Sequence, residues 1–432
     1  MGSTHPLRAL RHSNFRLFFA GQLISLIGTW MQQVAQSWLI YRLTHSALLL
    51  GGIGFAGQIP VFVLGPIGGH VADRFDRRRV LLITQSASMF LASVLAALTL
   101  TGRVREWHLF VLAALLGVVN AFDIPARQAF LVQLVEREDL INAIALNSSM
   151  FNGARIVGPA VAGLLVAAIG EGWCFFANAV SYIAVIIGLV MISTPRFVAQ
   201  AGRSVWANIA EGFRFVGKTA PVRALLLLIG AVSFIALPYT VLMPVFADKI
   251  FHSGARGLGI LMGASGAGAL LGSLALATRS SVKGLGRWIA IACTIFGAAL
   301  TAFALSRSFT LSAALLVIAG GAMMVQMASS NTLIQSMVPD ELRGRVMSVY
   351  TMMFMGMGPF GALLAGSIAE RIGAPMTVAG GGVITILAAI GFTLRLPSLR
   401  PAAHELIIAQ QAGGGEPAEQ ATATGAEATA SE

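Results

Sequence analysis

The chain has 432 residues, of which 56% are hydrophobic and only 11% are charged, and its mean hydropathy is +0.79. A soluble core cannot bury this much apolar surface, so the composition excludes a soluble globular protein and predicts a polytopic membrane protein. The net charge of +11 does not indicate a nucleic-acid partner, because membrane proteins collect Lys and Arg on their cytoplasmic loops.

Twelve apolar segments, separated by short polar breaks, follow one another along the chain. At a rise of about 1.5 Å per residue, each is long enough to cross a hydrocarbon core of about 30 Å. We therefore predict an all-α membrane protein with twelve transmembrane helices. Their expected ranges are 15–40, 47–69, 80–101, 108–128, 143–169, 173–193, 222–246, 257–277, 288–306, 309–332, 344–369 and 376–395.

The polar breaks divide the chain into four parts. We predict an N-terminal six-helix bundle at 1–193, a central cytoplasmic loop at 194–221, a C-terminal six-helix bundle at 222–396 and a disordered cytoplasmic tail at 397–432. The central loop carries an amphipathic pattern from Ser204 to Lys218, which predicts an interfacial helix. This helix either couples the two bundles or rests on the bilayer.

A repeat in the sequence supports two pseudo-symmetric bundles. The polar stretch that leads into Gly158-Pro159 in span 5 recurs, with changes, before Gly358-Pro359 in span 11. Repeats in the same orientation, with six spans each, are typical of two similar bundles related by an axis along the membrane normal.

The distribution of basic residues predicts the orientation. Most of the 29 Lys and Arg residues fall on the loops that share a side with the N terminus. Because cytoplasmic loops carry the excess of these residues, both termini are expected to be cytoplasmic. We expect a monomer in the cell membrane.

The densest charges lie between spans 2 and 3, where Asp73 to Arg79 carries six charges in seven residues. Arg77 follows Asp73 by four residues, so it can bridge Asp73 to another acid. Asp123, near the cytoplasmic end of span 4, lies at a similar depth. We predict an Asp73–Arg77–Asp123 latch that holds the cytoplasmic side shut while a cavity opens outward. The alternative role for Asp123 is that of the proton carrier.

Polar residues within the spans predict a cavity. Arg155 lies near the middle of span 5, where an unpaired charge costs at least about 2.5–3.5 kcal/mol. It either anchors an anionic or carbonyl-rich substrate or makes a structural tie to carbonyls or to Asn152 and Asn178. The remaining residues expected to line the cavity are Gln33, Gln36, Asn147, Asn152, Tyr239, Gln326, Asn331 and Tyr350.

Catalytic and cofactor-binding patterns are missing from the sequence. It contains no paired nucleophile and base, no metal-ligand cluster and no nucleotide-binding loop. We therefore predict that the chain is not an enzyme and has neither a cofactor nor a metal site.

The charged loop resembles the loop 2–3 signature of the major facilitator superfamily. Gly69, Asp73, Arg74 and the basic run 77–79 match that signature, and Asp76 stands where the family usually has Gly. The resemblance implies the major facilitator fold and the same latch role for Asp73, Arg77 and Asp123, with Gly69 as part of the signature.

A second motif indicates which branch of the superfamily the chain resembles. Gly158, Pro159 and Gly163 in span 5 resemble the Gly-Pro signature of drug and proton antiporters, with Ala162 in place of one glycine. Together with the run 123–128, they look like the branch that holds the enterobactin exporter and macrolide efflux proteins.

This resemblance implies a secondary transporter that works by alternating access. The expected function is proton-coupled export of an amphipathic small molecule, such as a siderophore or a macrolide-like drug. Proton-coupled uptake and a membrane sensor or scaffold without transport are the alternatives.

Overall fold

The computed structural model describes residues 7–193, 205–277 and 284–412. Within these ranges the chain forms thirteen helices longer than ten residues and no strand. The helices are α1 (Ser13–Thr44), α2 (Ala47–Arg74), α3 (Arg77–Leu100), α4 (Glu106–Leu131), α5 (Leu140–Ile169), α6 (Glu171–Met191), α7 (Val205–Lys218), α8 (Ala220–Ile250), α9 (Gly254–Ala277), α10 (Leu285–Leu305), α11 (Phe309–Met337), α12 (Asp340–Ile372) and α13 (Ala374–Ala412).

Eleven of these helices are long and apolar enough to span a membrane. The two others are α7, with 14 residues, and α1, with 32. Helix α1 has the required length, but glutamines such as Gln22, Gln32 and Gln33 lower its mean hydropathy. The predicted all-α membrane protein is confirmed, whereas α1 as a twelfth span stays a prediction.

Local residues explain where the helices begin and turn. The side chain of Ser46 accepts a hydrogen bond from the Leu49 amide at the start of α2, and Asp76 accepts one from the Arg78 amide at the start of α3. Gly170, between α5 and α6, has a φ of 88°, which glycine adopts without strain. Turns this short make the helices on either side antiparallel neighbours.

The described helices divide between two compact units. Unit 1 comprises Met1–Gly202, Thr240–Gly266 and Ala362–Ala374, and unit 2 comprises Arg203–Tyr239, Ala267–Gly361 and Pro375–Glu432. Unit 1 thus joins α1 to α6 with parts of α8, α9 and α12.

In unit 1, glycines bring helix backbones into direct contact. A Cβ atom on Gly68 of α2 would overlap the Ala121 carbonyl of α4, and one on Gly117 of α4 would overlap the Gly57 carbonyl of α2. On the other side of the bundle, a Cβ on Gly21 of α1 would lie 3.0 Å from backbone atoms of α6. These contacts fix the positions of α1 and α4.

Two groups of charges hold segments together at one end of unit 1. Asp139, just before α5, is 1% exposed and pairs with Arg8 at 3.1 Å, Arg11 at 2.9 Å and His12 at 2.7 Å. The guanidinium of Arg78 donates two hydrogen bonds of 2.6 Å to carbonyls at the end of α6. The N-terminal segment and the charged loop are therefore both attached to neighbouring helices.

At the opposite end of unit 1, α12 contacts the start of α2. The Oε2 atom of Glu370 accepts hydrogen bonds from the Ala47 amide at 2.8 Å, the Leu48 amide at 3.1 Å and the Ser46 hydroxyl at 3.2 Å. A Cβ atom on Gly366 would lie 2.6 Å from the Ala47 carbonyl. The carboxylate therefore caps α2 from another helix.

In unit 2, α7 packs against α12. Glu211 forms an ion pair with Arg345, and a Cβ atom on Gly212 would lie 2.5 Å from the Arg345 carbonyl. The sequence predicts a helix from Ser204 to Lys218, and the structure has one from Val205 to Lys218.

The end of the chain differs from the expectation. We predict disorder from residue 397, but α13 continues to Ala412 through Pro397 and Pro401. Leu399, Ala403 and Leu406 recur at helical spacing and are less exposed than most residues between them, which favours the helix. Residues 413–432 lie outside the described part of the chain.

Candidate functional site

A polar cavity of about 150 Å³ lies inside unit 1, among α1, α3, α4, α5 and α6. Its wall combines charged, amide and aromatic side chains. They include Gln22, Trp30, Gln33, Gln85, Ser88, Asp123, Arg127, Phe151 and Tyr182. We call it the polar cavity.

Asp123 is the buried acid of this cavity, and it is 3% exposed. Its Oδ1 atom accepts hydrogen bonds from Thr84 at 2.8 Å and Gln85 at 2.7 Å, both on α3. Its Oδ2 atom lies 3.1 Å from Arg127, one helical turn further along α4. A carboxylate in an apolar bundle needs such partners to offset the loss of hydration.

Arg127 also connects Asp123 to a third helix, α1. It donates to the Oε1 atom of Gln22 on α1 at 3.4 Å. A continuous polar chain therefore runs from Gln22 through Arg127 and Asp123 to Gln85. It links α1, α4 and α3 across the polar cavity.

Arg155 approaches the cavity from α5. Its guanidinium lies 5.9 Å from the centre of the Trp30 ring, within the range of a cation–π contact. Trp30 in turn packs edge to face against Phe151, at 5.7 Å between ring centres. Trp30 and Phe151 both line the polar cavity, so Arg155 contacts a residue of its aromatic wall.

The two asparagines considered as partners of Arg155 have other hydrogen bonds. Asn178 donates to Gln32 at 2.7 Å, and Asn152 donates to the Ser148 carbonyl at 2.9 Å. The contact with Trp30 was not anticipated from the sequence.

The latch residues occupy separate environments. Asp73 is exposed, and Gly69 has open space around it. Arg77 donates to the Ala72 carbonyl at 3.2 Å and to the Ala129 carbonyl at 3.3 Å, and the ion pair of Asp123 is formed with Arg127. The latch stays a prediction.

The other predicted cavity residues divide between the units. In unit 1, Gln33 lines the polar cavity, Gln36 donates to the Leu109 carbonyl at 3.5 Å, and Asn147 is half-buried. The members in unit 2 are Tyr239, which packs edge to face with Phe296; Gln326, which is 1% exposed; Asn331, which accepts from Gln335; and Tyr350, which contacts Phe354.

The Gly-Pro motif of α5 is a packing site. A Cβ atom on Gly158 would lie 2.5 Å from the Trp30 Cβ atom of α1, and one on Gly163 would lie 2.9 Å from Gly259 of α9. Pro159 is buried, and its carbonyl lies 2.6 Å from the position of a Cβ on Gly259. Small residues here allow α5 to approach both neighbours closely.

Sequence reasoning missed several members of the site, including Arg127, Gln85 and Tyr182. Arg127 could have been paired with Asp123 from their spacing of four residues on one helix. Gln85 carries the weaker signal of an amide within an apolar span. Tyr182 gives no local signal that separates it from an ordinary packed aromatic residue.

Comparison with known proteins identifies the family. The profile of the transmembrane secretion effector family, within the major facilitator superfamily, matches residues 4–411. The chain belongs to this family. The resemblance inferred from the charged loop is thereby confirmed, and the protein is a multi-pass membrane transporter that handles small molecules, not an enzyme.

Two relatives and one solved structure are similar to this transporter. It is 28% identical to the staphyloferrin A transporter of Staphylococcus aureus, over 86% of this chain and 93% of that protein. It is 24% identical to the enterobactin exporter EntS of Shigella boydii, over 90% of this chain and 93% of that protein. The crystal structure of the nucleoside transporter NupG matches 88% of this chain and 98% of that chain with a TM-score of 0.71 and 16% identity, which shows the shared fold.

Proposed function

We propose that this transporter exports an amphipathic small molecule, such as a siderophore or a macrolide-like drug, in exchange for protons. It works in the cell membrane as a monomer, with both termini in the cytoplasm. The observation that carries the proposal is the buried Asp123–Arg127 pair in the wall of a polar cavity inside a membrane-spanning bundle. Such a pair is costly to bury, and ionisable groups inside membrane bundles mark substrate and proton pathways.

We propose that Asp123 changes partners during alternating access. In the present structure Arg127 neutralises it. When the cytoplasmic side closes, Asp123 would join Asp73 through Arg77, which already lies at the start of α3. Protonation or substrate binding that releases Asp123 from Arg77 would favour the cytoplasm-open state.

The deciding experiment measures accumulation of a substrate panel in cells with and without the gene, each with and without a protonophore. Export driven by protons predicts lower accumulation in cells that express the protein, and loss of that difference with the protonophore. Higher accumulation in expressing cells would show uptake, and an unchanged difference with the protonophore would exclude proton coupling.

We expect Asp73→Asn to reduce export about ten-fold while expression stays normal, because the neutral side chain cannot form the charged latch. Asp73 is exposed in the present structure, so its replacement removes no buried contact. The matched control is Asp340→Asn, which changes another exposed carboxylate. Unchanged export by Asp73→Asn, measured in the accumulation assay, would rule out the latch.

We expect Arg155→Ala to weaken the binding of acidic substrates more than that of neutral ones. The guanidinium is the cation that contacts the aromatic wall, and its attraction for an anion in a low-dielectric site is worth about 1.5–3 kcal/mol. Binding of matched acid and methyl-ester compounds to the purified protein measures the effect. An equal loss for both compounds would assign Arg155 a structural role instead.

A further inference from the structure

Two amide groups in the polar cavity each have one polar atom without a partner. Gln22 is 1% exposed and Gln85 is 5% exposed. Among the described residues, the Nε2 atom of Gln22 and the Oε1 atom of Gln85 have no hydrogen-bond partner. Buried amide atoms are almost always hydrogen-bonded in proteins, so these two atoms lack a partner that a bound molecule could supply. Both atoms are themselves buried, so a ligand pairs with them only after the cavity wall moves slightly aside.

The charge pair fixes which atom of each amide is available. Arg127 can only donate, so it holds the Oε1 atom of Gln22 and leaves the Nε2 donor free. The carboxylate of Asp123 accepts from the Nε2 atom of Gln85, which leaves the Oε1 acceptor free. Rotating either amide by 180° would bring two donors or two acceptors together. Gln22 and Gln85 therefore contribute one unpaired donor and one unpaired acceptor.

Charge and size restrict the ligand further. Asp123 and Arg127 neutralise each other, so this pair offers no excess charge to a charged ligand. A cavity of about 150 Å³ is large enough for one benzene-sized group. Trp30, Phe151 and Tyr182 supply aromatic surfaces for such a ring.

We infer that the polar cavity binds a neutral aryl carboxamide group of the substrate, whose C=O accepts from Gln22 and whose N–H donates to Gln85. This inference rests on the proposed function in taking the cavity as the substrate site. It assigns Gln22 and Gln85 as specificity-determining residues and Asp123 and Arg127 as the groups that orient them.

The test compares three ring-sized probes on the purified full chain in nanodiscs, with empty nanodiscs as the blank. N-methylbenzamide has both a C=O and an N–H, methyl benzoate has an ester oxygen in place of the N–H, and benzoate is charged. Binding is measured by titration calorimetry. The amide is expected to bind at least about five-fold more tightly than the ester, because the ester leaves the Gln85 oxygen unpaired. Benzoate is expected to bind more weakly than the amide, because its carboxylate has no N–H to donate to the Gln85 oxygen.

Two variants separate the roles of the amides. Gln85→Leu is expected to bring the ratio of amide to ester affinity close to one, since only the amide uses the Gln85 oxygen. Gln22→Leu is expected to weaken both probes by a similar factor, since both keep the C=O. The control Gln58→Leu makes the same change at an exposed position of α2 and is expected to leave both affinities unchanged. Gel filtration confirms that each variant is folded.

Equal affinities for amide and ester in the wild-type protein, or no binding of either, would overturn the inference and leave a cavity filled by water only. A ratio that survives Gln85→Leu would also overturn it. The proposed function is judged separately by the accumulation assay. Proton-dependent export without amide preference would refute only the assignment of the ligand, and amide preference without export would refute only the transport reaction.

Discussion

Asp123→Asn is expected to abolish export and to lower the free energy of unfolding by about 3 kcal/mol. The carboxylate has three partners, at 2.7, 2.8 and 3.1 Å. Its removal leaves Arg127 as a cation whose side chain is only 22% exposed. An unpaired charge at this depth costs more than the hydrogen bonds that asparagine can retain. Export is measured by accumulation and stability by chemical unfolding in detergent.

The double variant Asp123→Asn/Arg127→Gln separates stability from function. Replacing both members of a buried pair by neutral groups removes the uncompensated charge, so most of the stability is expected to return. Export is expected to remain absent, because the ionisable group is still missing. Recovery of export together with stability would show that the pair has only a structural role.

The exposed pair of Asp340 and Arg343 supplies the matched control. These residues lie one turn apart at the start of α12, with side chains that are 57% and 42% exposed. Asp340→Asn is expected to change the free energy of unfolding by less than about 1 kcal/mol, because water solvates both groups. A similar loss of stability for Asp123→Asn and Asp340→Asn would contradict the assignment of Asp123 as a buried paired charge.

Glu370→Ala is expected to separate α12 from the start of α2. The carboxylate accepts two backbone amides and one hydroxyl there, and the loss of a helix cap costs about 0.5–2 kcal/mol. About 1.4 kcal/mol corresponds to a ten-fold change in the equilibrium between the contact and its separated form. We propose that this contact closes the outer side during transport, so the variant is expected to populate the outward-open state.

Distances between spin labels measure this effect. Leu48 on α2 and Ile372 on α12 are both exposed, and the native cysteines Cys174 and Cys293 are buried, so labels can be placed selectively at 48 and 372. We expect a longer distance component to grow in Glu370→Ala. Glu370→Gln, which keeps an acceptor oxygen, is expected to show a smaller change.

A helix cap that joins no distant helix provides the comparison with Glu370. Ser308 accepts a hydrogen bond from the Leu311 amide at the start of α11. Ser308→Ala is expected to lower stability by a similar amount without changing the distance between labels at 48 and 372. If Glu370→Ala also left the distance distribution unchanged, the proposed closing role of Glu370 would be wrong.

The candidate site could be predicted only in part. Asp123 and Arg155 stand out because a charge in an apolar segment is costly and must have a partner or a function. The partner of Asp123 was placed on the charged loop, at Arg77, and the structure instead pairs it with Arg127 on the same helix. Arg127 lies four residues from Asp123 on α4, whereas Arg77 has that spacing only to Asp73, and whether Arg77 reaches Asp123 depends on how α2, α3 and α4 pack.

The amino-acid sequence by itself determined the membrane class, eleven of the apolar spans and the family. These properties are local, since hydropathy over one helix length and short motifs need no knowledge of the distant chain. The predicted range 108–128, for example, lies within the observed helix Glu106–Leu131.

Only the tertiary structure decided which polar groups meet. Gln22, Gln85 and Asp123 lie on three helices, and the hydrogen bonds that join them through Arg127 form only because α1, α3 and α4 pack side by side. The same holds for the cap that Glu370 places on α2, across more than 300 residues of sequence. Hydropathy identifies helices that must leave water, but it does not specify which face of each helix meets which neighbour.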